Sequence, residues 1–271
     1  MSDDFSDPGL MRQLEAILPE SSATFYEGSD VKLSGIEVVR FGSTVGLVDF
    51  WAGRLNRVAG FGVFEPASEA TLDEIVHAYR SRGIKSFFIW MSPTAESEEV
   101  QSWLTRRGFK HDRNAARIAR RTADAAKIET DLRIARATPD DKEAIAQVSV
   151  AGFNSTIERG RIIADSIDRP DWRWYIAWDG DKPVGAGGLY VREGIGWLGY
   201  GSTIPDARKR GAQSAIIAAR VAAAREMGCD WVTSETAEDT PEAPVSSYHN
   251  MIRNVFELVH IMKAYTLNFD T

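Results

Sequence analysis

The sequence predicts an α/β protein of 271 residues in two similar halves, each with a mixed, largely antiparallel β-sheet flanked by helices. Runs rich in β-branched and aromatic residues alternate with segments that have the apolar spacing of a helix. Glycines close the helical segments, as expected at helix ends. The order strand, proline, helix, glycine, strand, helix occurs twice, and the copies differ mainly by extra residues after Pro205, in the stretch DARKRG.

In the first half, residues 1–20 form a leader helix around LMRQLEAIL, and residues 21–122 form the first predicted domain. Its predicted strands are rich in β-branched and aromatic residues, and its helices end at glycine. The strands are SATFYEG, GIEVVRFG, VGLVDFW, NRVAGFGVF and IKSFFIWM, and the helices are TLDEIVHAYRSRG and EEVQSWLTRRG. The polar stretch at 123–132 is the predicted linker.

Residues 133–271 form the second predicted domain. It opens with a helix over ATPDDKEAIAQVSVAGF, because Thr138 suits an N-cap and Pro139 suits the first helical position. The strands that follow are WRWYIAW, VGAGGLYV, IGWLGYGSTI, CDWVTSET and KAYTLNF, with helices SAIIAARVAAAREMG and SSYHNMIRNVF between them. The long apolar C-terminal strand would permit strand pairing between two subunits of a homodimer.

Composition limits the classes of binding partner and the cellular compartments that we expect for this protein. The net charge of −7 argues against nucleic acid or an anionic membrane as a partner, since both need an extended basic surface. Cys229 is the only cysteine, so an internal disulfide is excluded and a reducing compartment is expected. The N-terminus MSDDFSDP does not have the basic-then-apolar order of a secretory signal. We therefore expect a cytoplasmic protein.

The stretch IPDARKRGAQSAII concentrates positive charge where a strand ends and a helix begins. The first turn of a helix has unpaired backbone N–H groups and a partial positive charge, which together favour an anion. Gly211 allows the backbone to approach a ligand closely, and three neighbouring cations can add contacts to phosphate oxygens. The alternative is a solvated basic turn without a ligand. The stretch fits neither the nucleotide P-loop nor the dinucleotide fingerprint.

TIPDARKRGAQSAII resembles the acetyl-CoA motif of GNAT acyltransferases, (Q/R)-x-x-G-x-(G/A) between a strand and an apolar helix. The order of elements across 133–271 also resembles that family, and the first half resembles a degenerate copy. The resemblance implies that the loop holds the pyrophosphate of acetyl-CoA, the acetyl donor. Gln213 departs from the small residue of the motif. The implied cofactor-binding residues are Ser202, Thr203, Ile204, Arg208, Lys209, Arg210, Gly211, Ala212, Gln213, Ser214 and Asn250.

The same resemblance implies N-acetyl transfer to a primary amine of a small-molecule or peptide acceptor by direct attack. Glu235, near the end of CDWVTSET, is the candidate general base, ahead of Glu193 and Glu238; a solvated strand-end carboxylate is the alternative. Met251 stands where the family usually has a tyrosine acid, so Tyr248, one helical turn away, is the substitute candidate, or a packing tyrosine. The four histidines are scattered, which predicts no metal site.

Two rival functions stay open. The missing tyrosine, Gln213 and Val255 in place of a glycine are also compatible with a CoA-binding or architectural protein that has lost catalysis. Alternatively, the basic loop holds another phosphorylated ligand. The first half has neither the loop nor a glutamate at the matching place, where Trp90 stands, so we expect it to be structural or to shape the acceptor pocket.

Overall fold

The structure is a computed structural model that describes residues 3–27, 31–51, 53, 55–123 and 128–269. It confirms the α/β class, with mixed sheet and flanking helices. The chain divides into two compact units: unit 1 comprises residues 1–117 and 259–271, and unit 2 comprises residues 118–258. The C-terminal segment therefore packs within unit 1, whereas the sequence places it in the second domain. Parts of the predicted leader (1–2) and linker (124–127) lie outside the described residues.

Unit 1 combines an antiparallel sheet with two parallel strands around one apolar core. Strand β1 pairs with β2 and β2 with β3 in antiparallel fashion, whereas β3 and β4 are parallel. In the core, Tyr79 stacks on Phe87 with ring centroids 4.1 Å apart. The elements are α1 (Pro8–Tyr26), α2 (Val31–Ser34), β1 (Ile36–Phe41), β2 (Thr44–Asp49), β3 (Arg57–Ala59), α3 (Glu69–Ser81), β4 (Ser86–Met91), α4 (Glu98–Arg106) and the start of β5 (Lys110–Arg121).

In unit 1, one predicted strand is part of a helix, and one observed strand was not predicted. SATFYEG is not a strand, because Ser22–Tyr26 are the last turns of α1, which places Leu14, Leu18 and Phe25 in the core at helical spacing. Burial of this face outweighs the strand preference of the individual residues. Strand β5 has no counterpart in the expected elements, because its sequence KHDRNAARIARR is dominated by polar residues although its second half is buried.

Unit 2 contains the loop at the centre of the functional hypothesis. Its strands β6 to β9 form an antiparallel succession, and β9 is parallel to β10. The elements are β6 (Arg133–Arg136), α5 (Lys142–Phe153), α6 (Ile157–Asp165), β7 (Trp172–Asp179), β8 (Lys182–Arg192), β9 (Ile195–Thr203), α7 (Ala212–Glu226), β10 (Trp231–Ala237), α8 (Ser246–Arg253) and the start of β11 (Glu257–Asn268). Strand β6 and helix α6 have no counterpart in the expected elements.

Strands β9 and β10 pair only along their first residues. The parallel register runs from Ile195–Trp231 to Trp197–Thr233 and ends there. The register between β8 and β9 shifts opposite Gly187, where β9 contains Tyr200 and Gly201 as a bulge, and Tyr200 has a positive φ of 52°. The second half of β9 therefore has backbone groups on the β10 side that no strand partner occupies in this register.

Strand β11 is engaged within the chain. Its residues Lys263–Asn268 pair antiparallel with β4 in unit 1. The edge that the sequence offered for pairing between subunits is thus occupied there, which removes that argument for a homodimer. Among the described residues, no helix is long and apolar enough to span a membrane.

Candidate active site

The loop between β9 and α7 leaves the first turn of the helix open. Gly211 occupies the N-cap with φ 80° and, having no side chain, caps no amide. The first helical hydrogen bond runs from Ala215 N to Gly211 O at 2.9 Å, so the preceding amides have no partner within the helix. A Cβ at Gly211 would lie 3.1 Å from the carbonyl oxygen of Glu129, so this position is crowded as well as left-handed.

A first cavity of about 690 Å³ lies in front of this helix start. The hydroxyls of Ser202 and Thr203 are buried beside it and have no hydrogen-bond partner within the described part of the chain. Unpaired amides, unpaired hydroxyls and cationic side chains together form a site suited to an anion. The lining residues are Gly152, Gly201, Ser202, Thr203, Ala207, Arg208, Lys209, Gly211, Ala212, Gln213, Ser214, Ser246, Ser247, His249, Asn250 and Arg253.

The lining contains every predicted cofactor contact except Ile204 and Arg210. The side chain of Ile204 packs against the apolar cluster of Ala212 and Ile216, and its amide donates to Val184 O at 3.0 Å. Both residues are therefore dropped from the expected ligand set.

Arg210 is held away from the cavity by two carboxylates. It donates to Asp131 at 2.6 Å and also to Asp179. The hydrogen bond with Arg210 holds the pKa of the Asp179 carboxyl below its usual value. The charge of Arg210 is thus compensated, and the cations of the loop that remain for a ligand are Arg208 and Lys209.

Gln213, the departure from the family motif, has a defined partner. Its Oε1 accepts a hydrogen bond from Nδ2 of Asn250, and Arg253 donates to Oδ1 of the same asparagine. Asn254, which is buried, donates to the hydroxyl of Ser214 at 3.1 Å. These bonds attach α8 to the first turn of α7, so both helices border the first cavity.

A second cavity of about 390 Å³ contains Glu235. The indole Nε1–H of Trp197 donates to Oε2 of Glu235 at 2.7 Å and orients the carboxylate, which is partly exposed. Gly201, Gln213 and Ser247 line both cavities, so the two adjoin at the bulge of β9. The remaining lining residues are Phe153, Leu198, Gly199, Tyr200, Ile217, Arg220, Ser234, Thr236, Ala237 and Met251.

Tyr248, the candidate acid, lines neither cavity. On α8, the first cavity is lined by Ser246, His249, Asn250 and Arg253, the second by Met251, and both by Ser247. Tyr248 lies on a different face of the same helix, beside the exposed Ile252. The structure therefore does not support the acid role for Tyr248.

Sequence reasoning missed several residues of the two cavities. Asn250 was predicted, and its spacing from Ser246 and Arg253 on α8 indicates that these two lie on the same helix face. No sequence signal marks Trp197 as the partner of Glu235 or Arg220 as a buried cation. Among the described residues, no group of three or more His, Cys, Asp or Glu side chains is placed to hold a metal ion.

Part of unit 2 is similar to a known family of proteins. Residues 143–244 match the model of the Acetyltransferase (GNAT) family. This match identifies an acyltransferase domain that lies within unit 2. No curated protein sequence matches the chain.

Solved structures share the fold at low identity. A GCN5-related N-acetyltransferase from Kribbella flavida has a TM-score of 0.63 and 14% identity, over 95% of this chain and 96% of that one. A GCN5-related N-acetyltransferase from Sphaerobacter thermophilus has a TM-score of 0.60 and 14% identity, over 92% and 85% of the two chains. A conserved protein of unknown function from Staphylococcus epidermidis has a TM-score of 0.60 and 10% identity, over 89% and 99%. At these identities the likeness is one of fold.

Proposed function

From the GNAT domain that this chain contains at residues 143–244, we propose that the protein is an N-acetyltransferase. It moves the acetyl group of acetyl-CoA to a primary amine of a small-molecule or peptide acceptor, by direct attack and without a metal. One observation carries the proposal: a cavity at an open, cationic helix start adjoins a second cavity that contains an oriented carboxylate.

The residues of the first cavity fit the pyrophosphate of CoA. Helix α7 offers unpaired amides, and Arg208 and Lys209 add cationic donors in a protein whose net charge is −7. Ser202 and Thr203 offer buried hydroxyls that lack partners among the described residues. Acetyl-CoA would supply the thioester, and the backbone groups of Gly201 to Thr203, beyond the part of β9 that pairs with β10, are suited to hydrogen bonding along its pantetheine arm.

In the second cavity, Glu235 acts as the general base that removes a proton from the attacking amine, directly or through water. Trp197 holds its carboxylate in place. Backbone amides of the bulged part of β9 stabilise the charge that develops on the thioester oxygen. Ser247 has a hydroxyl at the junction of the two cavities and is the donor that we assign to the leaving thiolate.

The runner-up is a CoA-binding protein without catalysis. Met251, which cannot donate a proton, lines the second cavity at the place where the family usually has a tyrosine, and Val255 is exposed with a positive φ of 65°. The two functions share the first cavity and differ in turnover. CoA binding and thiol release must therefore be measured separately.

A thermal-shift assay with acetyl-CoA, CoA, ATP and ADP tests the first cavity. We expect CoA at about 100 times its Kd to raise the Tm by about 5 to 10 °C. Arg208→Ala should weaken CoA binding about tenfold, since it removes a charge-assisted contact. Arg210→Ala is the matched control, because this neighbouring arginine pairs with Asp131 and Asp179 and should leave the CoA affinity unchanged.

Gly211→Asp places a carboxylate at the helix start and should abolish the CoA shift. A CoA shift that persists in Gly211→Asp, or an equal shift with simple nucleotides, would remove the assignment of this cavity to CoA. Turnover is measured with a panel of primary amines by following the free thiol released from acetyl-CoA. CoA binding without thiol release for any amine would favour the runner-up.

A further inference from the structure

Helix α7 carries a buried arginine for which the proposed reaction has no role. Arg220 is 2% exposed and lines the second cavity together with Glu235. Its Nη1 donates to Gly188 O at 3.0 Å and to Gly199 O at 3.2 Å, and its Nε donates to Ile216 O at 3.3 Å. These acceptors are neutral carbonyls, two of which flank the bulge of β9. Nη2 has no hydrogen bond to any described residue.

The charge of Arg220 has no carboxylate partner among the described residues, and its hydrogen bonds all go to backbone carbonyls. Burial lowers the pKa of its guanidinium to about 9, so the group is still a cation at neutral pH. Carbonyls accept hydrogen bonds from its Nε and Nη1 but do not cancel its charge, and an uncompensated buried charge is destabilising. A side chain that served only to stabilise the bulge would need hydrogen-bond donors but would not need a net charge.

Glycines make room for this cation and leave it open to the cavity. A Cβ at Gly187 would lie 2.9 Å from Cζ of Arg220, so the guanidinium occupies the space of a missing side chain. A Cβ at Gly201 would lie 3.5 Å from Nη2 and would cover it. Gly201 lines both cavities, so the uncovered Nη2 lies beside the point where they meet.

We propose that Arg220 receives a substrate carboxylate in the second cavity and thereby selects substrates that bear one. The inference rests on the proposed function and adds a substrate class to it. The cavity then holds two opposite charges, Glu235 for an ammonium group and Arg220 for a carboxylate. The carboxylate has two sources, an acceptor of the amino-acid type or an acyl group with a free acid. Arg220 is a specificity-determining residue that does not touch the reacting bond.

The experiment compares matched substrates in two arms. In the acceptor arm, glycine and phenylalanine are compared with glycinamide and phenylalaninamide, with acetyl-CoA as donor. In the acyl arm, malonyl-CoA is compared with propionyl-CoA, and the acceptor is a primary amine whose side chain is uncharged. The readout is the ratio of kcat/KM for the carboxylated and the neutral member, taken in wild type and variants. Comparing ratios between variants cancels the different basicity of the paired amines.

We expect one arm to show a preference for the carboxylate of about 10- to 100-fold, as for a hydrogen-bonded ion pair. Arg220→Met should reduce this preference to near unity, and Arg220→Lys should keep part of it. Arg225→Met, which removes an exposed arginine of the same helix, should leave the ratio unchanged. Because Arg220→Met also removes bonds at the bulge, Gly201→Ala is the second variant: it retains Arg220, covers Nη2 and should lower the same ratio.

The outcomes separate this inference from the proposed function. If neither arm favours the carboxylated member in wild type, whether rates are equal or nil, the inference is overturned while CoA binding and acetylation of neutral amines can stand. If the preference exists but survives in both Arg220→Met and Gly201→Ala, Arg220 serves the bulge alone. If CoA does not bind at all, both the inference and the proposed function fall.

Discussion

Replacing Glu235 by glutamine separates catalysis from binding with the smallest change in shape. Glutamine retains the length of the side chain and an Oε acceptor for the indole N–H of Trp197, which lies 2.7 Å from the carboxylate. It removes the negative charge and the ability to accept a proton from an ammonium group. Glu235 does not line the first cavity, so the groups that would bind the pyrophosphate are unchanged.

The expected losses of activity and of stability in Glu235→Gln follow from two interactions. General-base catalysis contributes about 10²- to 10⁴-fold, so the loss in kcat corresponds to about 3 to 5.5 kcal/mol of activation free energy. The hydrogen bond from Trp197 becomes one to a neutral acceptor, which costs about 1 kcal/mol of stability at most in this partly exposed position. The expected fall in Tm is no more than about 4 °C, so the variant should remain folded.

Thiol release with the best amine acceptor measures kcat, and the CoA thermal shift measures binding. We expect Glu235→Gln to lose at least about 100-fold in kcat with an unchanged CoA shift. Glu238→Gln is the matched control, since this carboxylate lies three residues further along the same segment and lines neither cavity. Equal activity of Glu235→Gln and wild type would refute the assignment of the base. A loss of the CoA shift would instead show that Glu235 supports binding.

Three further predictions concern Tyr248, Cys229 and Glu15, which have no part in the proposed reaction. Tyr248→Phe should keep kcat within about threefold, whereas loss of a true general acid would cost about 10²-fold or more in the thiol-release assay. Cys229 is buried, and burial raises the pKa of its thiol to about 11, so a disulfide reagent at pH 8 should label the native protein slowly and the urea-unfolded protein fully; fast native labelling would contradict this. For Glu15, burial raises the pKa, but hydrogen bonds from His260 and Ser92 and the charge of Arg117 outweigh it, so the pKa lies below the ordinary glutamate value of 4.5. Its stabilising contribution is therefore present above about pH 4.5 and lost as pH falls through the lower, folded value; urea unfolding from pH 7 to pH 3 should show a smaller loss of stability in Glu15→Gln than in wild type.

The loop motif was predictable because its chemistry is local. A strand, a cluster of cations, a glycine and an apolar helix are contiguous in sequence, and the structure assembles them into an open helix start beside a cavity. Which of these cations pair with carboxylates was not predictable. Arg208 and Arg210 are two residues apart and chemically identical, and they differ only because Asp131 and Asp179, distant in sequence, pair with the second.

The second cavity was predictable only in part. Glu235 could be placed at the end of a strand, but its partner Trp197 comes from a strand whose register the sequence does not fix. In sequence, Arg220 is one polar position in the Ala-rich stretch AIIAARVAAA, and its burial depends on glycines of β8 and β9 that accommodate the guanidinium. The helical periodicity of α7 cannot predict this burial, because it contains no information about the glycines on the neighbouring strands.

The two helices that follow a proline after a sheet strand, α3 in unit 1 and α7 in unit 2, explain why we assign the ligand to unit 2. The N-terminus of α3 is closed by its own side chains: the hydroxyl of Ser68 accepts from Thr71 N at 3.1 Å, and the first turn contains Glu69, whose carboxylate also pairs with Arg106 and Arg107. The N-terminus of α7 has a glycine cap without a side-chain bond and no acidic residue in its first turn. A helix start that already satisfies its amides and its dipole has little affinity left for an external anion. This difference between a serine–glutamate start and a glycine start is the reason why the CoA site that we propose lies at α7 and not at α3.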